Sequence, residues 1–268
     1  QAEDGIRDRS PSRGLGDVYK RQISVMETKK KLTWADKKAA DLSKKYSDLE
    51  GADLLKVMIK KEFPGCIALS SSFGAEAAVL LDLVLRIDSK TPIIFLDTGK
   101  LFEETYNYVT KLSDHIGLQD LRVIRPKKDR LLQQDPSGNL WESNPDMCCH
   151  IRKVEPLEDA LKGFKAWITG RKRYHGDLRL SLDSIESVDG YIKVNPLINW
   201  DAEKIQSYFI EKKLPQHPLL SRGFKSIGCY HCTRETEDGT GVRSGRWTGG
   251  QKTECGIHGK FKKQEHPS

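Results

Sequence analysis

Six cysteines are distributed unevenly along this chain of 268 residues. Cys148 and Cys149 are adjacent, Cys229 and Cys232 are separated by two residues, and Cys255 stands alone near the end of the chain. The two pairs supply four thiolates, which is the number that a zinc ion or a cubane iron–sulfur cluster accepts. The distribution therefore predicts one metal centre and one cysteine that is free for other chemistry.

The adjacent pair favours a cluster over zinc. Zinc sites usually use two C-x2-C pairs, whereas the side chains of Cys148 and Cys149, about 100° apart on a helix, must converge on one centre. A cluster with several irons tolerates such neighbours better than a single tetrahedral ion. We expect a [4Fe-4S] cluster with Cys148, Cys149, Cys229 and Cys232 as ligands, and we expect Cys66 to pack in the core.

The single Cys255 has positively charged neighbours in the sequence. Lys252 and His258 lie within three residues of it, and Arg243 and Arg246 occur in the preceding segment Arg-Ser-Gly-Arg-Trp. Nearby cations lower the pKa of a thiol, and paired arginines bind multiply charged anions. These residues predict a nucleophilic thiolate that acts on an anionic substrate.

A loop of small residues between a predicted strand and a predicted helix is a second candidate for anion binding. The loop consists of Ser70, Ser71, Ser72, Phe73 and Gly74. Its amides and hydroxyls, with the following helix N-terminus, can hold a phosphate. The loop does not match the Walker pattern, and taken alone it also fits a helix cap followed by a tight turn.

Strands and helices alternate along most of the chain. Apolar runs predict strands at 66–69, 93–96, 121–124 and 166–169, and helical periodicity occurs at 75–85, 103–112, 154–161 and 202–212. A hairpin is predicted at 185–194, and a loop or lid at 126–145. The pattern predicts an α/β fold with a mostly parallel twisted sheet flanked by helices, and with ligands at the carboxyl ends of its strands.

Composition limits the location and the partners of the protein. The formal net charge of +7 comes from basic residues interspersed with acids, which suits a small anion better than nucleic acid. No apolar run approaches the length of a membrane span, and cysteines that bind metal or react indicate a reducing compartment. We expect a cytoplasmic protein that binds neither nucleic acid nor membrane, and the sequence leaves a homo-oligomer open.

Three regions follow from these patterns. Residues 1–25 lack apolar periodicity and are predicted to be a disordered or non-native leader, with a native start near Met26. Residues 26–222 are predicted to form the nucleotide-binding α/β domain. Residues 223–268 carry two metal ligands and Cys255, and their many glycines and charges predict a mobile tail with few core residues.

Motifs across residues 69–258 resemble the assimilatory sulfonucleotide reductases. They occur in the order Cys-Cys-x-x-Arg-Lys-x-x-Pro-Leu, Thr-Gly-x-basic-basic, Asn-Pro-Leu, Gly-x-x-Ser-Ile-Gly-Cys-x-x-Cys, Gly-Arg-Trp and Lys-x-Glu-Cys-Gly-Ile-His. Two cysteine pairs mark the iron–sulfur branch, which typically reduces adenosine 5'-phosphosulfate. The resemblance implies an adenine-nucleotide α-hydrolase-like fold that binds the nucleotide without hydrolysing ATP.

The resemblance also implies roles for individual residues. Cys148, Cys149, Cys229 and Cys232 match the [4Fe-4S] ligands, and Cys255 matches the nucleophile. Other matching positions are substrate-binding: Ser70, Ser71, Ser72 and Gly74 in the phosphate loop, Lys153 between cluster and substrate, Arg179, Arg243 and Arg246 around the phosphosulfate, and His258 in the tail.

The implied reaction is attack of the Cys255 thiolate on sulfate sulfur, which releases AMP and leaves a cysteine S-sulfonate. Thioredoxin or glutaredoxin then releases sulfite. The alternatives are reduction of the 3'-phosphorylated nucleotide, a zinc-stabilised nucleic-acid-binding module, and a tRNA-thiolating relative that consumes ATP. The phosphate loop Ser-Ser-Ser-Phe-Gly-Ala-Glu and the basic turn Gly-Arg-Lys-Arg-Tyr-His-Gly at 170–176 depart from many cluster-bearing members.

Overall fold

A central sheet organises the computed structural model, which describes residues 32–176, 179–237, 239–248 and 252–259. Its strands are β1 (Ile67–Ser71), β2 (Ile93–Leu96), β3 (Leu121–Ile124), β4 (Ala166–Ile168), β5 (Ile185–Val188) and β6 (Tyr191–Val194). In the described residues they form one sheet in the order β3-β2-β1-β4-β6-β5. β5 is antiparallel to β6, and the other neighbouring strands are parallel, as predicted.

Helices connect the strands. They are α1 (Trp34–Lys45), α2 (Gly51–Val57), α3 (Ala77–Ile87), α4 (Glu103–Ile116), α5 (Lys128–Gln134), α6 (Leu140–Ser143), α7 (Pro145–Cys149), α8 (Glu155–Leu161) and α9 (Ala202–Glu211). Single π-helical turns follow α2 at Met58–Glu62 and α7 at His150–Val154. The side chain of Asp201 caps α9 by accepting a hydrogen bond from the amide of Lys204 at 2.8 Å.

The central strands are apolar on both faces, which explains why parallel strands form here. Ile67 and Leu69 of β1 belong to the large core, whereas Ala68 between them packs with Trp167 and Leu157 in a second apolar cluster. Successive strand residues point to opposite faces, so each face needs a covering layer. Helices supply both layers, and Cys66 packs against the large core as predicted.

The chain changes direction in the sheet next to β1. β2 and β3 extend the sheet on one side of β1, and β4 pairs with its other side. A reversal of this kind leaves a crevice outside the carboxyl ends of the two central strands, which is where open α/β sheets bind ligands. The predicted ligand site at this edge of the sheet therefore lies between the carboxyl ends of β1 and β4.

Two sequence-based expectations need correction. The predicted loop or lid at 126–145 contains α5 and α6, because its polar sequence still has helical stretches between turns. The C-terminal region is also less depleted of core residues than we expected, since Phe224 and Ile227 form a buried cluster with Ala75 and Leu219. The predicted leader at 1–25 and the proposed start at Met26 lie outside the described residues.

No helix in the described parts of the chain is long and apolar enough to span a bilayer.

Candidate functional site

The predicted phosphate loop begins later than the sequence suggested. Ser70 and Ser71 are the last residues of β1, so they are strand residues and not loop residues. The Ser71 hydroxyl accepts a hydrogen bond from the amide of Phe73 at 3.2 Å. Phe73 has a φ of +48°, which is unusual for a non-glycine residue, and its buried ring packs edge-on against Phe95 at 5.3 Å between centroids. Burial of the Phe73 ring stabilises the turn. The Ser72 side chain remains exposed.

The end of α3 next to this turn is open to a ligand. α3 begins at Ala77, and the side chain of its N-cap residue Glu76 makes no capping hydrogen bond. The Ala77 amide donates to the Gly74 carbonyl oxygen at 3.1 Å, and the helix dipole at this end favours an anion. Gly74 lies between the turn and the C-terminal region, because a Cβ at this position would come within 3.2 Å of the Ile227 carbonyl oxygen.

One cleft brings together all the residues predicted to bind substrate or to react. Its lining includes Ser70, Ser71, Ser72, Gly74, Lys153, Arg179, Arg243, Arg246, Cys255 and His258. They come from the ends of β1 and α7 and from distant loops, so no local sequence pattern could establish their proximity. The four cysteines of the two pairs are not among the lining residues of the described cleft.

The paired cysteines lie near Lys153, which lines this cleft. Cys148 and Cys149 are buried at the end of α7, and Cys229 and Cys232 bracket a short 3₁₀ turn. The hydroxyl oxygen of Thr98 lies 3.3 Å from the Cys229 sulfur. This contact brings the second cysteine pair to the carboxyl end of β2.

The thiols of the two pairs influence one another electrostatically. Burial raises the pKa of Cys148, and charges on Cys229 and Cys232 raise it further. Burial also raises the pKa of Cys149, to about 12. For Cys229 burial acts in the same direction, but the Lys153 ammonium and the Thr98 hydrogen bond outweigh it and lower the pKa. The cysteine pairs therefore share one neighbourhood.

Lys153 connects this neighbourhood with the cleft. Burial alone would lower the pKa of Lys153, but Cys229, Cys149 and Cys255 together raise it above the ordinary lysine value. The ammonium is thus within electrostatic reach of the paired cysteines and of the single one. The family resemblance had implied such a position for Lys153, between the metal ligands and the substrate.

The two cysteine pairs form the candidate metal-binding set of the described residues. In the described residues no three or more His, Cys, Asp or Glu side chains are grouped tightly enough to hold a single metal ion. Four cysteine thiols in one neighbourhood are nevertheless the donor set that an iron–sulfur cluster uses, and a cluster is wider than one ion. These residues fit such a cluster better than they fit one zinc ion.

Arg179 and Arg243 converge on a carboxylate that sequence reasoning missed. Arg179 donates to both oxygens of Glu254, at 2.6 and 3.1 Å, and Arg243 donates to one of them at 3.3 Å. Although burial alone would raise the pKa of Glu254, the hydrogen bonds from Arg179 hold it below the ordinary value. Glu254 directly precedes Cys255, and this adjacency is the signal that could have identified it.

Arg246 occupies a different position in the cleft. Its Nε donates to the Cys232 carbonyl oxygen at 3.1 Å, and its guanidinium lies 4.4 Å from the Trp247 ring centroid. A Cβ at Gly228 would come within 2.5 Å of this guanidinium, so a larger residue there would displace the Arg246 side chain. Arg246 therefore lies between the cysteine pair and the cleft.

His258 is held by the sheet. Its carbonyl oxygen accepts a hydrogen bond from the buried Lys193 of β6 at 3.2 Å, and its ring lies parallel to that of Trp167 with centroids 6.0 Å apart. Burial, followed by the charges of Arg171 and Lys193, lowers the pKa of His258 well below the ordinary value. Lys193 was missed, although a lysine inside the apolar strand Tyr-Ile-Lys-Val is an unusual feature.

A second polar network supports Arg179. Glu76 accepts from Lys172 at 2.7 Å and from Nε2 of His175 at 3.1 Å, and the Tyr174 hydroxyl also donates to it. Nδ1 of His175 accepts from Arg179 at 3.0 Å. Burial lowers the pKa of His175, so the ring is neutral near pH 7 and can accept at Nδ1. The basic turn at 170–176, which departs from many cluster-bearing family members, therefore supplies a contact that orients Arg179.

Comparisons with known proteins agree with this arrangement. Residues 66–235 match the family model described as the phosphoadenosine phosphosulfate reductase domain. The chain is 44% identical over 221 residues to an adenosine 5'-phosphosulfate reductase of Mesorhizobium japonicum, a match that covers 82% of this chain and 87% of the relative. It is 40% identical over 195 residues to the corresponding enzyme of Oceanobacillus iheyensis, covering 72% and 81%.

Solved structures show a similar fold. A phosphoadenylyl-sulfate reductase from Candida auris, crystallised as a phosphate complex, superposes with a TM-score of 0.63 at 30% identity and covers 76% of this chain and 99% of its own. An FMN adenylyltransferase from Candida glabrata superposes with a TM-score of 0.51 at 18% identity, covering 75% and 77%. The adenine-nucleotide α-hydrolase-like fold predicted from the sequence is confirmed.

Proposed function

The chain belongs to the phosphoadenosine phosphosulfate reductase family, and from this premise we propose that it reduces adenosine 5'-phosphosulfate to sulfite and AMP in sulfate assimilation. The observation that carries the proposal is the common cleft of Cys255, the phosphate loop and the arginines. A thiol beside an anion-binding surface suits displacement at sulfur. Relatives named for this reaction cover most of the chain, which supports the same choice of substrate.

Nucleotide binding is assigned to the end of the sheet. The turn at Ser72 and Gly74 and the N-terminus of α3 take the phosphate, because the positive end of a helix dipole favours an anion. Ser70 and Ser71 line the same wall, and Arg179, Arg243, Arg246 and His258 face it. These cations offset the charge that develops on the phosphate oxygens as AMP departs.

Cys255 acts as the nucleophile in this scheme. Its thiolate attacks the sulfur atom, the bond between sulfur and the bridging oxygen breaks, and AMP leaves with the electron pair. A dithiol protein, thioredoxin or glutaredoxin, then attacks Sγ of Cys255 with one thiolate and releases sulfite. Its second thiol resolves the mixed disulfide, which returns the Cys255 thiol and oxidises the partner to a disulfide.

Cys148, Cys149, Cys229 and Cys232 are the residues that would hold a [4Fe-4S] cluster. When bound, this group supplies a charged centre beside Lys153 and the substrate. Lys153 is assigned the link between the two sites, since its charge acts on both Cys229 and Cys255. In this scheme, residues 26–222 form the nucleotide-binding domain. Residues 223–268 supply two metal ligands, the nucleophile, and the substrate-binding residues Arg243, Arg246 and His258.

Reduction of the 3'-phosphorylated nucleotide is the second candidate. Two observations favour it: the Ser-Ser-Ser-Phe-Gly-Ala-Glu loop, and the superposition with a phosphoadenylyl-sulfate reductase at 30% identity. Steady-state kinetics with both nucleotides, thioredoxin and anaerobically purified protein separate the candidates. We expect sulfite and AMP with a higher kcat/KM for the unphosphorylated form, and a preference of about tenfold or more for the other would overturn this choice.

A further inference from the structure

The carboxylate of Glu254 lies where an anionic ligand would be expected to bind. Arg179 grips it with two hydrogen bonds, at 2.6 and 3.1 Å, and Arg243 adds a third at 3.3 Å. This two-pronged geometry is the one with which arginine binds the oxygens of phosphate or sulfate groups. The three side chains line the same cleft as Cys255.

The arginine pair needs an anion. Burial, followed by the like charge of Arg179, lowers the pKa of Arg243 to about 10. Arg171 is buried close by, and its charge also acts on Glu254. Two guanidinium groups close together and shielded from water repel each other unless a negative group lies between them. In this structure Glu254 provides that group.

The position of Glu254 in the sequence connects this contact with the reaction. Glu254 is joined by one peptide bond to Cys255, and the adjacent Thr253 carbonyl oxygen also accepts from Arg243, at 2.7 Å. Release of both the Glu254 carboxylate and the Thr253 carbonyl oxygen from the arginines would therefore free the backbone that carries the thiol. The ion pairs hold the tail over the cleft.

We propose that Glu254 is an internal stand-in for the phosphosulfate oxyanion, which occupies Arg179 and Arg243 in the ligand-free protein and must be displaced when the nucleotide binds. The identity of the nucleotide rests on the proposed function, whereas the competition requires only an anion. Glu254 is thus a gating residue for nucleotide binding, and its displacement repositions Cys255 against the newly bound group.

Binding measurements in a background that cannot turn over test this competition. In Cys255→Ser protein, isothermal titration compares the Kd of adenosine 5'-phosphosulfate with and without Glu254→Gln. The Glu235→Gln change in the same background is the matched control, because Glu235 is an exposed glutamate in the same C-terminal region. We expect Glu254→Gln to lower the Kd by about threefold or more, since it removes a competing anion, and the control to leave it unchanged.

AMP, which lacks the sulfate, is the second probe. A tighter Kd for both nucleotides means that Glu254 competes with the phosphate, and a tighter Kd for the phosphosulfate alone means that it competes with the sulfate. Either result supports the proposal. An unchanged or weaker Kd for both nucleotides overturns it, because a carboxylate that merely braces the fold would not oppose binding.

Alkylation of Cys255 provides an independent measurement on the otherwise unchanged chain. Iodoacetamide labelling, followed by peptide mass spectrometry, should be faster in Glu254→Gln and also in wild-type protein with saturating inorganic phosphate. Equal rates in all samples would contradict the proposal. Neither readout requires sulfite formation. If the wild-type enzyme forms no sulfite but Glu254→Gln lowers the Kd of the nucleotide, the proposed function is refuted and the proposed role of Glu254 stands.

Discussion

The hydroxyl oxygen of Thr98 lies 3.3 Å from the sulfur of Cys229, although 131 residues separate the two in the sequence. The backbone strengthens this contact, because the amide of Tyr230 donates to the Lys100 carbonyl oxygen at 2.9 Å. The C-terminal cysteine pair is therefore attached to the carboxyl end of β2, the strand that pairs with β1 beside the described cleft. The proposed cluster ligands and the nucleotide cleft are built on the same strand ends.

Replacing the proposed nucleophile should separate binding from chemistry. We expect Cys255→Ser to bind adenosine 5'-phosphosulfate and to keep its iron, since Cys255 is not one of the four proposed ligands. Sulfite production should fall to the background rate, because a serine hydroxyl stays protonated near neutral pH and cannot form the S-sulfonate. Sulfite assays and mass spectrometry of the enzyme check this, and measurable turnover by Cys255→Ser would refute the assignment.

Replacing a proposed metal ligand should remove the metal. We expect Cys229→Ser to lose the brown colour, the iron and the acid-labile sulfide of anaerobically purified wild-type protein. Cys66→Ser is the matched control, because Cys66 packs against the core beside the amino end of β1 and should keep the metal. Elemental analysis distinguishes the candidates, since a colourless wild-type protein with one zinc would contradict the cluster.

The hydrogen bond from Arg179 to His175 should affect nucleotide binding. We expect His175→Ala to raise the KM for the nucleotide about tenfold, because Arg179 loses the acceptor that orients it. His175→Asn should restore part of the loss, since its amide oxygen can replace Nδ1. His115→Ala is the control, because His115 is an exposed histidine of α4 that is not among the lining residues of the described cleft. Steady-state kinetics decide, and a change confined to kcat would argue against an orienting role.

His217 should make stability depend on pH. Its Nδ1 accepts from the amide of Leu219 at 3.2 Å, and burial lowers its pKa from 6.5 to about 4. Below pH 6.5 His217 becomes protonated in the unfolded chain, whereas in the folded protein it stays neutral until the pH approaches 4. The free energy of unfolding therefore falls as the pH falls towards 4. The loss between pH 7.5 and pH 5 should be about 2 kcal/mol, since the slope approaches about 1.4 kcal/mol for each pH unit below pH 6.5.

Urea unfolding at pH 7.5, 6 and 5 measures this dependence. His217→Asn is the informative variant, because asparagine can accept from the Leu219 amide and does not titrate. It should be less stable than the wild-type protein at pH 7.5, since it loses the contact with Thr105. Its stability should change less than that of the wild type between pH 7.5 and 5. An unchanged slope would mean that other groups cause the acid sensitivity.

The sequence predicts the strands of the fold more accurately than the residues that form the edge of the cleft. The strands at 93–96 and 121–124 were predicted to the residue, because apolar runs bounded by turns are local signals. Ser70 and Ser71 were assigned to the loop instead of β1, since β1 continues as long as its neighbour β2 offers hydrogen bonds. That partner is distant in the sequence.

The amino-acid sequence by itself determined the alternation of strands and helices, the two cysteine pairs and the family resemblance, because each depends on residue type and short spacing. Tertiary structure alone decided that Glu254 reaches Arg179 and that His175 orients the same arginine. Those contacts join segments whose approach depends on the order of strands in the sheet and on how the tail packs over it. Local propensity carries no information about either.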